Sequence, residues 1–398
     1  MDEDMIAAYA RPMAAHDDAD GPVDRFLRLA VLSYSEPDAS AGAARLLAAD
    51  PGLATASAHT LAACGRADDL AERLTPAVAR AEEGPHRWVP LLYLCYSRIG
   101  QDDAVGTLRV LLHAGADPDA GFLWQGLPSP FTALTGVLGG GERGEPPHPD
   151  GVALATMLLE AGADPNDNQA LYNRAFRPEN DHLAPLVGHG LGQDRPSPWR
   201  DRLGTAYPSP AEMVGEHLRF AASSGFVDRV RLLLAHGVDP ETRGYHPIHG
   251  DRTPYEIAVR HGHATIAALL AEAGARTEGP SEVDRVVAAA LAGEPTTAHP
   301  DLPRDLVGKR PDALATAAEH HGTAAIRALL DLGYGIDAAG SDGRTALHQA
   351  AWDGDAELCR WLIAHGADPT RTDARFEGTP AGWAAHAGHD DLAAELDH

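Results

Sequence analysis

Lysine, cysteine and aromatic residues are scarce in this chain of 398 residues. It has a single lysine, Lys309, and three cysteines, Cys64, Cys95 and Cys359. The cysteines form no CxxC pair and no disulfide framework, so a reducing compartment, the cytoplasm, is the expected location. Aromatic residues make up 6% of the chain and hydrophobic residues 44%, which predicts a core built mostly of Leu, Val and Ala.

Long apolar runs and an excess of positive charge are also missing. No stretch approaches the roughly 18 apolar residues of a membrane span, and the acidic first residues do not resemble a secretory signal. The chain has 32 basic and 58 acidic residues, a formal net charge of −26. This field repels nucleic acids and anionic lipids, so neither nucleic acid nor a membrane is an expected partner.

Motifs of catalysis and of cofactor binding are absent as well. There is no GxSxG and no HExxH, and the glycine run at 139–141 lacks the GK[ST] ending of a phosphate-binding loop. We therefore predict no catalytic residue and no cofactor, and the sequence favours a protein that is not an enzyme. His246, His249, His261 and His263 are close in sequence, but HxxH on a loop is a weak zinc signal, so no metal site is predicted.

The chain instead carries an internal repeat. Its clearest units read DRTPYEIAVRHGHATIAALLAEAGA at 251–275, DGRTALHQAAWDGDAELCRWLIAHGADP at 342–369 and EGTPAGWAAHAGHDDLAAEL at 377–396. In each unit a threonine is placed to cap the first helix and a glycine to end it. These residues are Thr253, Thr345 and Thr379, followed by Gly262, Gly354 and Gly388. Apolar residues at helical spacing then predict a second helix, and such pairs bury their apolar faces only by stacking on neighbours.

The segment TALHQAA at 345–351 is similar to the TPLHxAA signature of the ankyrin repeat family. The resemblance implies helix–turn–helix units with short β-turn fingers, stacked so that fingers and first helices form a concave face. Weaker copies upstream extend the prediction to an all-α solenoid of about eleven helix pairs after residue 22.

The spacing of the repeats predicts four parts of the chain. Residues 1–22 are expected to be an acidic, frayed tail. Residues 23–193 are expected to hold degenerate ankyrin-like repeats with a loop insert at 139–151. A Pro-rich connection follows at 194–210. Residues 211–398 hold the C-terminal repeats, which are most regular at 342–396.

Because folding explains the repeat residues, function is expected at variable surface positions. In the ankyrin family these are the finger tips and the residues before the helix-ending glycine. The resemblance therefore implies a non-enzymatic scaffold that binds another protein, preferentially a basic one, on its concave face; the oligomeric state stays open. The positions carried over are Trp352, Asp353, Arg344, Phe376, His386, Arg260, His261 and Tyr245. Trp361 and Trp383 are expected in the core, whereas Trp352 is either a core residue or a binding anchor.

A second hypothesis places a small-molecule or enzyme site on the inner face of residues 87–182. First-helix positions there carry Tyr, Asn and Arg where ordinary repeats carry Leu and Ala, and arginines beside tyrosines suit an anionic or aromatic ligand. The alternative role of these side chains is hydrogen bonding between repeats. The residues are Tyr93, Tyr96, Arg98, Tyr172, Asn173 and Arg174.

Overall fold

The computed structural model describes residues 3–11, 20–32, 39–142, 144–293 and 302–397. The chain divides into two compact units, Met1–His217 and Leu218–His398, which are called unit 1 and unit 2. Helices dominate both units, as expected for an all-α fold. Within the described ranges, every helix falls short of the length and apolar character that crossing a bilayer requires.

The helices of unit 1 are short, mostly two or three turns. They are α1 (Glu3–Tyr9), α2 (Pro22–Ala30), α3 (Ala39–Ala49), α4 (Ala58–Ala63), α5 (Ala67–Arg73), α6 (Pro76–Ala79), α7 (Pro90–Tyr96), α8 (Ala104–His113), α9 (Ala133–Leu138), α10 (Gly151–Glu160), α11 (Asn168–Asn173), α12 (Leu183–Gly188), α13 (Pro198–Leu203) and α14 (Pro210–Ser223), which runs across the division between the units. Single 3-10 turns occupy Pro51–Thr55 and Gly204–Ala206.

Unit 2 continues with helices of similar length. They are α15 (Val227–Ala235), α16 (Pro254–Arg260), α17 (Ala264–Glu272), α18 (Glu282–Leu291), α19 (Leu302–Lys309), α20 (Ala313–His320), α21 (Gly322–Asp331), α22 (Ala346–Trp352), α23 (Ala356–Ala364), α24 (Pro380–His386) and α25 (Asp390–Leu396). A 3-10 turn at Pro247–His249 precedes α16.

The predicted beginnings and ends of the repeat helices are confirmed. Each of the three threonine hydroxyls accepts a hydrogen bond from the backbone N–H three residues on, at 3.3 Å for Thr253, 3.4 Å for Thr345 and 3.2 Å for Thr379. The glycines that end these helices have φ angles of 73°, 71° and 87°, in the left-handed region that a side chain disfavours. The sequence therefore defines these helix boundaries through local chemistry alone.

Neighbouring pairs stack within unit 2. Helix α22 packs against α20 on one side and α24 on the other, and each of these also contacts its own second helix, α21, α23 or α25. The core between them is rich in alanine and leucine, including the buried Leu347, Ala350, Ala351 and Leu362. Small alanine side chains allow the helices to approach closely, and the leucines supply most of the buried apolar area.

In unit 1, helices α4, α7, α9 and α11 contact one another in chain order. Their core departs from the predicted Leu, Val and Ala composition at one place. Trp88, Tyr93, Tyr96 and Phe122 form a buried aromatic cluster, with Trp88 stacked on Phe122 at 4.7 Å between ring centroids. Overall composition does not reveal such a local cluster.

A small sheet is an addition to the all-helical prediction. Strands β2 (Gly121–Trp124) and β3 (Pro130–Thr132) form an antiparallel hairpin, and β1 (Ala10–Arg11) pairs in parallel with β2. The hairpin lies where the sequence predicts a short finger. Its aromatic residues Phe122 and Phe131 are buried inside unit 1. Residues 3–11 thus differ from the expected frayed tail, since helix α1 and strand β1 pack on this hairpin. Residues 12–19 lie outside the described part of the chain.

The segment 194–210 also differs from the expected Pro-rich loop, because it contains α13. Ser197 caps this helix and Pro198 fills its first position, where a missing N–H costs nothing. Trp199 anchors the helix in unit 1, since its Nε1 donates to the carbonyl oxygen of Asp119 at 3.0 Å. The division between the units falls later, between His217 and Leu218. The insert between α9 and α10 is a loop.

Candidate functional site

The finger before α24 is held by one buried carboxylate. Asp373 accepts hydrogen bonds from the backbone N–H groups of Arg375 at 2.8 Å, Phe376 at 2.7 Å and Gly378 at 2.9 Å, and from Nε1 of Trp383 at 2.9 Å. Burial opposes ionisation, but these four donors outweigh it and lower the pKa of Asp373 to about 2. The finger tip is therefore rigid. Sequence reasoning missed Asp373, which no motif marks.

This finger places aromatic side chains in a row on unit 2. The Phe376 ring lies 6.3 Å from Trp383, Trp383 lies 5.8 Å from Trp352, and Trp352 stacks on His386 at 5.9 Å, all between ring centroids. Phe376 is 65% exposed and both tryptophans are half-buried. We call Phe376, Trp383, Trp352 and His386 the aromatic surface. It brings together three of the predicted partner-binding residues.

Trp383 and Trp361 were both expected in the core, and both are half-buried. Trp361 packs against the core of unit 2 from its edge, as expected in part, whereas Trp383 lies outside that core. Trp383 is drawn to the finger by its hydrogen bond to Asp373. Trp361 lies on the second helix α23, where it stacks on His365 at 3.9 Å and the guanidinium group of Arg327 lies 5.1 Å above its ring. The spacing of the apolar residues identifies the helix face on which each tryptophan lies, but it does not show how deeply the side chain is buried.

A polar row on α22 adjoins the aromatic surface. Nη1 of Arg344 donates to Oε1 of Gln349 at 2.5 Å, and Nε2 of Gln349 donates to Oδ2 of Asp353 at 2.8 Å. Asp353 follows Trp352 directly and is exposed. Two further predicted residues, Arg344 and Asp353, thus lie beside the aromatic surface, and Asp353 gives it a negative border.

Arg260, also predicted to bind a partner, is committed to contacts inside unit 2. Its Nη2 lies 2.7 Å from Oδ2 of Asp312, and its backbone carbonyl accepts from Nη2 of Arg310 at 2.8 Å. Arg310 in turn lies 3.3 Å from Asp284. Burial alone would raise the pKa of Asp312, but the guanidinium groups of Arg310 and Arg260 outweigh it and lower the pKa. These four side chains form an ion network that joins α16, α18 and α20, with the buried Arg310 at its centre and the other three side chains half-buried.

His261 lies in a cluster of histidines. Its ring is 6.2 Å from that of His263 and 5.7 Å from that of His320, and His263 is 5.3 Å from His321. Burial, with help from the neighbouring rings, lowers the pKa of His261 well below 6.5 and the pKa values of His263 and His320 to about 4. The rings of His261, His263 and His320 are therefore neutral near pH 7.

The other two histidines of the sequence grouping are placed elsewhere. His246 and His249 lie against the ring of Phe220, at 5.6 and 5.0 Å. Across the part of the chain that the structure describes, no three His, Cys, Asp or Glu side chains are placed to hold a metal ion. Tyr245, predicted to bind a partner, is on the same finger and is 45% exposed.

The two tyrosines of the predicted small-molecule site on α7 are fully buried. The hydroxyl of Tyr93 donates to the carbonyl oxygen of Glu83 at 3.1 Å, and that of Tyr96 donates to the carbonyl oxygen of Thr132 at 3.0 Å. Burial raises the pKa of the Tyr93 hydroxyl above its usual range. Both side chains tie neighbouring parts of unit 1 together and face no solvent.

Arg98 of the same predicted site is bound to backbone carbonyl groups. Its Nη2 donates to Gly136 at 2.7 Å, at the middle of α9, and its Nε donates to Pro146 at 3.0 Å, in the loop between α9 and α10. The guanidinium group therefore fastens this loop and α9 to the end of α7.

The remaining residues of that prediction follow the same pattern. The hydroxyl of Tyr172 donates to Oε1 of Glu142 at 2.9 Å, and Oδ1 of the buried Asn173 accepts from Gln169 at 2.8 Å. Arg174 is buried and forms an ion pair with Asp181. All six side chains take part in hydrogen bonds or ion pairs within unit 1.

A family model for ankyrin repeats, in three copies, matches residues 288–373. Residues 288–373 are ankyrin repeats. At the signature histidine of these repeats, His348, Nε2 hydrogen-bonds the carbonyl oxygen of Gly378 in the next finger at 3.1 Å, and Nδ1 lies 2.8 Å from Oγ1 of Thr345. The side chain is fully buried and joins one ankyrin repeat to the next, the structural role that the resemblance implies.

Parts of this chain are similar in sequence to parts of known proteins. The potassium channels AKT1 of Oryza sativa subsp. indica and subsp. japonica are each 36% identical over 76 residues, which are 19% of this chain and 8% of the channel. Protein PhlB of Serratia liquefaciens is 33% identical over 140 residues, 34% of this chain and 54% of PhlB. The chain thus spans a small part of the channels and about half of PhlB.

Proposed function

We propose that this chain is a non-enzymatic scaffold that binds a partner protein through the aromatic surface of its ankyrin repeats. Ankyrin repeats are protein–protein interaction modules, and the observation that supports this particular surface is Phe376, 65% exposed on a finger that Asp373 holds rigid. A rigid exposed aromatic ring loses little entropy on binding and buries a large apolar area. The half-buried Trp352 and Trp383 beside it extend the same face.

The charge of the chain supports a basic partner. The formal net charge is −26, and Asp353 borders the aromatic surface. Opposite charge accelerates association, and screening by salt weakens it. We place this interaction in the cytoplasm, because Cys64, Cys95 and Cys359 are all free thiols and all buried.

We further propose that the helix pairs of unit 1 are degenerate ankyrin repeats. The whole chain would then hold about eleven such repeats. The contacts of α4 with α5, α7 with α8 and α9 with α10 support this, as does the chain-order packing of their first helices. For Tyr93, Tyr96, Arg98, Tyr172, Asn173 and Arg174 we propose the structural role, inter-repeat hydrogen bonding.

Replacing Phe376 by alanine is expected to weaken partner binding by about 30-fold or more, as at an interface hot spot. The side chain is largely exposed, so its loss leaves the repeat folded. Partners are captured from the source cells, identified by mass spectrometry, and their Kd is measured by titration calorimetry. Asp353→Lys is expected to weaken the binding of a basic partner further and to reduce the dependence of its Kd on salt.

Ile363→Ala is the matched control, because Ile363 is exposed on the second helix α23, away from the fingers. It is expected to bind every captured partner with unchanged Kd. Partners that bind Phe376→Ala as tightly as the unmodified chain, while Ile363→Ala loses them, would place the interface on the second helices and refute the proposal.

A further inference from the structure

A cavity of about 490 Å³ lies in unit 1, between the sheet, the finger near residue 115 and helix α13. This volume is within the range of sites that hold small organic molecules. The side chains that give it its chemistry are four arginines, Arg11, Arg80, Arg87 and Arg202, and four aromatic residues, Tyr9, Trp88, Phe122 and Trp199. We call it the arginine cavity.

The charge of the arginine cavity is opposite to that of the whole chain. The chain has a formal net charge of −26, whereas four arginines and two carboxylates, Glu82 and Asp117, line this cavity. Glu82 is engaged by Arg11, whose Nη2 lies 2.7 Å from its Oε2. The positive charge of this cavity therefore attracts anions, although the net charge of the whole chain is negative.

Two of the guanidinium groups are available to a ligand. Arg87 is exposed, and within the described residues its side chain has no hydrogen bond or ion pair. Arg202 likewise has no carboxylate partner in that part of the chain, and its guanidinium group lies 5.0 Å from the ring centroid of Tyr9 and 4.7 Å from that of Trp199. Guanidinium groups bind carboxylate or phosphate with two parallel hydrogen bonds.

Trp88 lies against the cavity and carries a donor without a partner. It is 1% exposed, and its indole Nε1 has no hydrogen-bond acceptor among the described residues. This nitrogen is enclosed by protein and is not accessible from the cavity. The donors that the lining offers to a ligand are therefore the guanidinium groups of Arg87 and Arg202.

The aromatic residues of the lining pack mostly on one another. Tyr9 and Trp199 meet edge to face at 5.3 Å, and Trp88 stacks on Phe122 at 4.7 Å. Trp88, Phe122 and Trp199 are at most 3% exposed, so they support the wall of the cavity and offer a ligand little ring surface. The half-buried Tyr9 is the ring of these four that a ligand can contact.

We propose that the arginine cavity binds a small organic anion, with its carboxylate or phosphate on Arg87 and Arg202. This site lies in unit 1 and does not depend on the partner surface of unit 2. An acidic peptide is the competing occupant, but the size of the cavity favours a compact ligand.

Titration calorimetry on the full chain tests the proposal with three probes of one shape: 1-naphthoate, 1-naphthyl phosphate and the uncharged 1-naphthamide. Both anions are expected to bind, and the amide at least about tenfold more weakly, the value of one charge-assisted contact. The ratio of the two anions shows whether carboxylate or phosphate is preferred. Binding of the better anion is expected to weaken as salt is raised.

The double variant Arg87→Gln with Arg202→Gln is expected to weaken the binding of both anions by about tenfold or more and to leave the binding of the amide unchanged. Arg109→Gln is the matched control, because Arg109 is exposed on α8 in the same unit. In spectra of the six indole N–H groups, the ligand is expected to shift the Trp88 signal.

Three results would overturn the proposal. They are equal affinity for the amide and the anions, no anion binding with a Kd below about 1 mM, and shifts confined to the tryptophans of unit 2. A glutamate-rich peptide that binds the cavity while both naphthalene anions fail would identify a peptide site instead. Loss of anion binding in the double variant would leave partner capture by Phe376 unchanged, so this proposal and the proposed function fail separately.

Discussion

Replacing Arg310 by glutamine is expected to destabilise unit 2 by about 2–3 kcal/mol, a value between those of a surface ion pair and of a fully buried one. The Arg310 side chain is 2% exposed and contacts Asp284, Asp312 and the carbonyl oxygen of Arg260. Its loss leaves two carboxylates, which are 24% and 28% exposed, with weaker compensation. Because this network joins α16, α18 and α20, the damage should spread to the neighbouring repeats.

Hydrogen exchange resolved by peptide measures this effect, since a chain of two units need not unfold in one step. Exchange from α16, α18 and α20 should accelerate far more than exchange from unit 1. The matched control is Arg231→Gln, which removes an exposed ion pair with Asp228 and is expected to change stability by less than about 1 kcal/mol. Equal effects of the two substitutions would show that the network contributes nothing beyond a surface pair.

Mild acid is expected to destabilise unit 2 steeply between pH 6.5 and about 4. The pKa values of His249, His263 and His320 are lowered to about 4 in the folded chain, mainly by burial, against 6.5 for the free side chain. Unfolded chain therefore binds more protons than folded chain in this window, so stability is complete above pH 6.5 and falls with pH. Each extra proton contributes about 1.4 kcal/mol per pH unit, and three give roughly 4 kcal/mol per pH unit near pH 5.

Glu319 offsets part of this loss. Burial raises the pKa of its carboxyl, with Arg344 opposing, so the folded chain also takes up a proton there as the pH falls. The net slope is then smaller than the histidines alone would give. His320→Gln removes one titrating group and should flatten the slope by about 1.4 kcal/mol per pH unit. The exposed His113 provides the control, His113→Gln. Unit 2 that keeps its exchange protection from pH 7.5 to 5 would contradict this reasoning.

The sequence predicts best those features that depend on a few neighbouring residues. Thr345 and Gly354 define the first helix of their repeat through a cap and a left-handed turn, and both need only local chemistry. His348, in the same signature, links its helix to the next finger. Trp352 and Phe376 lie on one surface, because the repeat determines where the finger and the helix end lie.

Features that depend on distant pairs were not predictable in this way. Arg310 looks like any surface arginine until α16 and α18 bring Arg260 and Asp284 to it, 50 and 26 residues away. The sheet that joins β1 to β2 links segments more than a hundred residues apart, so the first residues looked like a free tail. Tyr96 and Arg98 suggested a ligand site by their type alone, whereas their actual partners are backbone carbonyl groups.

The measurement that tests the central claim most directly is the footprint of a captured partner by hydrogen exchange. With the partner bound, protection is expected in the finger at 373–378 and in the first helices α22 and α24, together with the exposed Phe376. The second helices α23 and α25 should exchange as they do in the free chain. Protection confined to α23 and α25, or to unit 1, would contradict binding through the aromatic surface.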